Sequence, residues 1–375
     1  MHYRDFGKTG FKVSGLGFGC MRLPTKDGQI DFPEATRIVR HAIDEGVNYL
    51  DTAYGYHDQQ SEVFVGKVIQ EGYREKVAIA TKMPVWEVNA EADFDRLFGE
   101  QRRKLQVETI DFYMLHALNQ GAWLKMRDLG VIPWLSRAKA AGKIGQFGFS
   151  FHDQVSAFKQ IVDEFEGAAF AQIQYNLLNE DVQAGTDGLK YAAGKGLAVI
   201  VMEPLLGGTL CAPPPAVQAL YDASGLGLTS AELSLRWLWN KPEVSLVLSG
   251  MSAFQQVQEN IASTRRAGVG CMGEAEVKLA TAVQEKYKGL TAIPCTACGY
   301  CQPCPVGVKI SEVFSMLNDI EVYGETRVAS SKRRYARLEA QQRADTCISC
   351  RICEEKCPQG IPISKWMPKV HAALA

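Results

Sequence analysis

Residues 31–56 read DFPEATRIVRHAIDEGVNYLDTAYGY, and a helix followed by a strand can be taken directly from them. Asp31 with Glu34 forms a capping box, because each side chain can satisfy an N–H that the first helical turn leaves unpaired. Ala35, Ile38, Val39, Ala42 and Ile43 then recur on one helical face, and Gly46 suits the stop. Residues 47–51 follow as a short apolar run that ends on Asp51. The same alternation repeats along the chain. Strands are predicted at 15–20, 47–51, 77–81, 110–115, 144–149, 170–174, 197–202 and 244–248, mostly with room between them for a crossover helix. Eight such repeats, with runs apolar on both faces, predict an α/β fold whose parallel sheet closes as a (β/α)8 TIM barrel. An open doubly wound sheet is the second choice, since no G-x-G-x-x-G follows the first strand. Residues 3–13, YRDFGKTGFKV, read as a hairpin at the lower end of the barrel.

The chain has 375 residues, 46% of them hydrophobic, which allows a barrel and a second small domain. A net charge of −1 implies no strong attraction to nucleic acid or to a membrane surface. The opening MHYRDFGKTG lacks an apolar signal region, and no apolar stretch approaches the ~20 residues of a membrane span. The expectation is a soluble, cytoplasmic protein. Near residue 288 the character changes to prolines, cysteines and a polar helical stretch whose apolar stripe is Ile310, Val313, Phe314 and Leu317. Residues 1–287 are therefore read as the barrel and 288–375 as a small, mainly helical, ferredoxin-like domain. APPPA at 212–216 is read as a loop. From residue 286 onward Lys and Arg number 13 against 8 Asp and Glu, while the rest carries 28 against 34. The basic run KRRYAR at 332–337 reads first as a solvated helix face and second as a docking surface for an acidic redox partner.

Cysteine placement is the sharpest signal in the second half. Of eleven, only Cys20, Cys211 and Cys271 precede residue 290, and these read as packing or loop thiols. The others fall in two groups: Cys295, Cys298, Cys301 and Cys304, then Cys347, Cys350, Cys353 and Cys357. The second group has the C-x2-C-x2-C-x3-C-P spacing of bacterial 4Fe–4S ferredoxins, in which the fourth cysteine serves the other cluster. On that crossed pattern Cys295, Cys298, Cys301 and Cys357 hold one cluster, and Cys304, Cys347, Cys350 and Cys353 the other. Two structural zinc ions are the alternative, since paired C-x2-C knuckles also bind Zn²⁺. Zinc requires neither the third C-x2-C step nor the Cys-Pro ending.

Reactive side chains of such barrels sit at the carboxyl ends of strands. Asp51 ends the second strand with Tyr56 five residues on, Lys82 ends the third, and His116 ends the fourth. Singly, each is more often an ion pair or packing. Together they suit proton transfer to a carbonyl. An ammonium beside a phenol stabilises phenolate, a carboxylate fixes the ammonium, and an imidazole orients the substrate oxygen. Trp86 and Trp123 follow the third and fourth strands and are candidates for either a substrate pocket or the core.

LDTAYGY, ATK, YMLH, and GFS followed by QIQYNLL, resemble the aldo-keto reductases over about residues 3–270. MEPLLGG, FSFHD and the cysteine tail resemble the branch of that family fused to a 4Fe–4S ferredoxin-like domain. The resemblance implies that Asp51, Tyr56, Lys82 and His116 are the catalytic tetrad, with Tyr56 as general acid/base and NADP or NAD as cofactor. It also implies that Ser150 and Gln172 hold the nicotinamide carboxamide and that Met202 packs on its ring. Ser249, Gly250, Met251 and Gln256 fall in the phosphate-receiving segment, and Glu259 and Asn260 near the adenine. Three positions depart from the family pattern: Phe151 replaces an Asn, Met202 replaces an aromatic, and Gly250 with Gln256 stand where basic side chains often meet the 2′-phosphate. The expected activity interconverts a carbonyl and an alcohol on a small-molecule substrate, with two clusters available for one-electron exchange with a redox partner protein. The alternatives are a plain carbonyl reductase with a structural cysteine domain, and a silent barrel acting in binding or redox sensing.

Overall fold

The computed structural model describes residues 1–295, 299, 301–357 and 359–375. Cys298 and Pro358, both part of the cysteine reading above, lie outside the described residues. Tyr3–Asp5 (β1) and Lys12–Ser14 (β2) pair antiparallel as the expected hairpin. Leu16–Gly19 (β3) opens the barrel, and a second small hairpin follows at Thr25–Lys26 (β4) and Gln29–Ile30 (β5). Tyr49–Asp51 (β6), Ala78–Met83 (β7), Ile110–Leu118 (β8), Ile144–Phe151 (β9), Phe170–Gln174 (β10), Ala198–Met202 (β11) and Leu246–Ser249 (β12) complete it. All pair in parallel, in the closed order β10-β11-β12-β3-β6-β7-β8-β9. The (β/α)8 expectation therefore holds strand for strand.

Helix α1 (Phe32–Asp44) shows why the opening stretch was readable. Asp31 accepts a hydrogen bond from the Glu34 N–H at 3.3 Å, Pro33 sits in the first turn, and all five predicted apolar residues are buried. Only this half of the expected capping box forms, since the Asp31 N–H donates to the Pro24 carbonyl and the Glu34 carboxylate pairs with Arg37. Phe6, from the β1–β2 turn, enters the barrel from the amino ends of the strands. It meets Phe112 at a ring separation of 4.7 Å and packs with Tyr49, Ala78, Phe170 and Ala198, each of which starts its strand. Burying such a side chain stabilises by about 2–3 kcal/mol, and it closes the end opposite the polar strand termini.

Strands β9 and β10 approach so closely that a Cβ at Gly148 would lie 2.2 Å from the Phe170 carbonyl oxygen. Gly148→Ala is expected to destabilise the barrel by about 2–3 kcal/mol, measured by chemical denaturation, because two backbones must separate to admit a methyl.

Contacts divide the chain into two compact units, Met1–Leu210 with Ala231–Gly273, and Cys211–Ser230 with Glu274–Ala375. The boundary expected at 287/288 falls inside a helix, Glu274–Leu290, which belongs wholly to the second unit. So does the helix Pro215–Ser224, which takes in the last two residues of the APPPA stretch read as a loop. The core of the second unit gathers Ile310, Val313, Phe314 and Leu317 with Ile363, Met367 and Val370. In the KRRYAR helix, Tyr335 is buried and the five flanking residues are exposed, as a solvated face requires. Among the described residues no helix is long and apolar enough to cross a membrane.

Candidate active site and cysteine-lined cavities

Asp51 ends β6, and Lys82 is the last residue but one of the adjacent β7. The Lys82 ammonium donates to Asp51 Oδ1 at 2.5 Å and to the Thr52 carbonyl at 2.7 Å, and both side chains are almost fully buried. Asp51 Oδ2 is buried without a hydrogen-bond partner among the described residues. Burial pushes the Asp51 carboxyl up while Lys82 pulls it down; burial opposes the Lys82 charge, yet Asp51 and Tyr56 hold its ammonium above the usual range. Lys82 thus points a cation at Tyr56, whose ring centre lies 4.9 Å from Nζ. Burial raises the Tyr56 phenol, and Lys82 offsets part of that rise. Directly after Tyr56, His57, Asp58 and Gln59 all have left-handed backbone conformations (φ 49°, 50° and 68°), a strained turn of the kind that clusters at functional sites.

His116 is aimed by a β-bulge. The β8–β9 register shifts between Leu115 and Leu118, and Ala117 takes φ 53°. The Ala117 N–H then donates to Ser150 Oγ at 2.7 Å, locking β8 to β9 at the rim. The His116 ring lies 6.0 Å from that of Tyr56 and 5.0 Å from that of Trp86. Burial, with help from Lys82, pushes the His116 imidazole down to about 3, so it is neutral at physiological pH. Trp86 is 52% exposed, whereas Trp123 is fully buried and donates its indole N–H to Glu164. The first lines the mouth and the second belongs to the core.

A buried network behind these residues was not anticipated from the sequence. Gln101 Nε2 donates to the Lys82 carbonyl at 3.0 Å and to Glu62 Oε1 at 2.7 Å. Thr81 Oγ1 donates to the same Glu62 oxygen at 2.6 Å, and the Tyr113 hydroxyl donates to Gln101 Oε1 at 2.7 Å. It ties the end of β7 to the helices Gln60–Val68 (α2) and Ala92–Leu105 (α3). The only sequence trace is a carboxylate inside the otherwise apolar SEVFVG.

Ser150, Gln172 and Met202 sit together on β9, β10 and β11. Gln172 pairs in register with Ser150, and Gln172 Nε2 faces Met202 Sδ at 3.6 Å. Gln172 Oε1 is buried with no partner among the described residues, an acceptor left for a bound group. Asn260 Nδ2 donates to Ser249 Oγ at 3.1 Å, and Met251 is buried. Gln256 is occupied otherwise: its Oε1 accepts from the Ser252 and Ala253 N–H groups and caps the start of helix Phe254–Thr264. Glu259, on the exposed side of that helix, accepts from Gln255.

In the second unit the sulfurs line two cavities. One is walled by Cys295, Cys301 and Cys357 with Ile310, Phe314 and Ile361. The other is walled by Cys304, Cys347, Cys350 and Cys353 with Val308 and Met367. Each cavity draws cysteines from both sequence groups. Burial, then the neighbouring sulfurs of Cys304, Cys347 and Cys350, push the Cys353 thiol up to about 11. A cationic core would stabilise the Cys353 thiolate that burial disfavours. The residues present thus fit an iron–sulfur group in each cavity, with Cys298 outside the described set.

Residues 294–361 match the 4Fe-4S dicluster domain family, so the C-terminal segment is an iron–sulfur domain. The L-galactose dehydrogenase of Arabidopsis thaliana is 28% identical over 307 residues, covering 77% of this chain and 96% of that protein. The 6-dehydroglucose reductase of Novosphingobium aromaticivorans is 27% identical over 280 residues, covering 68% and 88% respectively. Among solved structures, the holo form of aldo-keto reductase AKR11C1 from Bacillus halodurans superposes with a TM-score of 0.64 at 25% identity, covering 76% of this chain and 96% of that one. The family model for these oxidoreductases runs from residue 15 to residue 267, across the whole barrel and every strand end described above, and the chain belongs to the aldo/keto reductase family.

Proposed function

We propose that the barrel interconverts a carbonyl and an alcohol by hydride transfer with a nicotinamide dinucleotide, using Tyr56 as general acid/base. The observation that carries this reading is the buried Lys82–Asp51 pair set against the Tyr56 ring, with the neutral His116 imidazole across from it. When bound, the dinucleotide supplies the hydride. In the reductive direction the carbonyl carbon gains a C–H bond, the C=O π electrons move to oxygen, and that oxygen takes the Tyr56 proton. The Lys82 ammonium stabilises the phenolate left behind, which is reprotonated from solvent. His116 donates an N–H to the substrate oxygen and orients it without changing charge, and Trp86 excludes water on that side. Ser150 and the vacant acceptor of Gln172 hold the carboxamide, with Met202 against the ring.

Two 4Fe–4S clusters complete the proposal, one held by Cys295, Cys298, Cys301 and Cys357 and the other by Cys304, Cys347, Cys350 and Cys353. Bound there, they supply one-electron transfer and couple the barrel to a redox partner protein. Anaerobically purified protein is expected to hold about eight iron and eight acid-labile sulfide per chain, falling to about four of each in Cys304→Ala. Colourless protein rich in zinc would overturn the cluster reading. Turnover of NADPH or NADH with aldehydes, ketones and sugars tests the barrel, sugars because both named relatives are named for them. Undiminished turnover in cluster-free, folded protein would leave a plain reductase with a structural domain.

A further inference from the structure

Gly250 and the capping residue Gln256, which stand where basic side chains often meet the 2′-phosphate, carry no charge, yet a guanidinium reaches the rim beside Gly250 from another loop. Arg22 follows β3 and is exposed. Its stem lies along Gly250: a Cβ there would sit 3.2 Å from Arg22 Cβ and 3.4 Å from Cγ and Cδ. At its far end, a Cβ on Gly207 would lie 3.4 Å from Arg22 Nη2. Gly207 and Gly208 form a left-handed turn (φ 65° and 94°) after β11, and Gly250 directly follows β12. Arg22 thus spans the loops after three neighbouring strands, β11, β12 and β3, above two exposed glycines whose backbone a ligand can approach. Among the described residues it has no hydrogen bond and no carboxylate partner, so its charge is uncompensated.

The nicotinamide residues proposed above lie on β9, β10 and β11, and the adenine residues on the helix after β12. The connecting part of a bound dinucleotide must cross the rim between them, over Gly207 and Gly250. That part is a diphosphate, and a planar guanidinium matches two phosphate oxygens at once. We propose that Arg22 clamps the cofactor's diphosphate, supplying positive charge there from the first βα loop. The clamp rests on the dinucleotide reading.

Direct binding tests it, by quenching of tryptophan fluorescence on titration with NADPH and with NADH. Arg22→Ala is expected to weaken both by about tenfold or more and by the same factor, because both carry the diphosphate. Arg22→Lys should recover part of the loss, and the salt dependence of Kd should flatten in Arg22→Ala. The thermal midpoint of Arg22→Ala should stay at the wild-type value, since the side chain is exposed and unpaired. Unchanged affinities in Arg22→Ala would overturn the clamp, and so would a loss confined to NADPH, which would put Arg22 at the 2′-phosphate. If the wild-type protein binds neither dinucleotide, the cofactor reading itself fails and the clamp with it.

Discussion

Tyr56→Phe is expected to lower kcat for carbonyl reduction by about a thousandfold or more while leaving the affinity for NADPH and the folded stability nearly unchanged. The substitution removes one oxygen and keeps the ring against Lys82 and His116. What it deletes is the only neutral O–H donor in the group of four, and positioned general acid catalysis contributes roughly 10²–10⁴ in rate. The pH profile carries the same signature. Burial raises the phenol, with Lys82 offsetting part of the rise, so reduction should hold steady through neutral pH and decline only as alkali removes the proton. Oxidation of the alcohol needs the phenolate and should rise with pH over the same interval. His116, pushed down to about 3, should add no inflection between about pH 5 and 9. A Tyr56→Phe protein that still turns over at the wild-type rate would remove the phenol from the mechanism and favour a barrel whose function is binding.

The eight strands were legible because a parallel strand buried on both faces is a continuous apolar run, and three of these runs carry a polar residue at or near the carboxyl edge. Asp51, Lys82 and His116 could be found from that edge alone. The crossed cysteine cavities were legible for a related reason: thiol spacing records a local wrap around one object. Features made by distant segments were not. Glu62 reads as a surface carboxylate until α2 and α3 close over β7 and turn it inward. Arg22 sits in an ordinary loop until the barrel brings Gly250 and Gly207 beneath it. The bulge at Ala117, which aims His116, leaves no mark because it depends on the register of β9. The helix 274–290 reads as the end of the barrel, since nothing in its own pattern says which core its apolar face will join.

Lys82→Met should be among the most damaging single changes to stability in the barrel, costing about 3–5 kcal/mol near neutral pH by urea denaturation, as well as nearly all activity. Removing one member of a buried ion pair strands the other, and here Asp51 already has one oxygen without a hydrogen-bond partner among the described residues. The Thr52 carbonyl loses its donor in the same step. The defect should depend on pH in a fixed direction. Without the ammonium, burial alone acts on Asp51, so its folded pKa rises further above that of the unfolded chain. A raised folded pKa contributes stability below the unfolded value, near 4, and that contribution is lost as pH rises through the folded one. The variant should therefore draw toward wild type in acid and fall away above it. Adding Asp51→Asn to Lys82→Met removes the stranded charge and should recover most of the stability, while reductase activity stays lost. Recovery of both together would mean that the pair serves the fold alone. Recovery of stability without activity separates the two, and means that the protein tolerates the cost of a buried ion pair because the phenol at its side needs the ammonium.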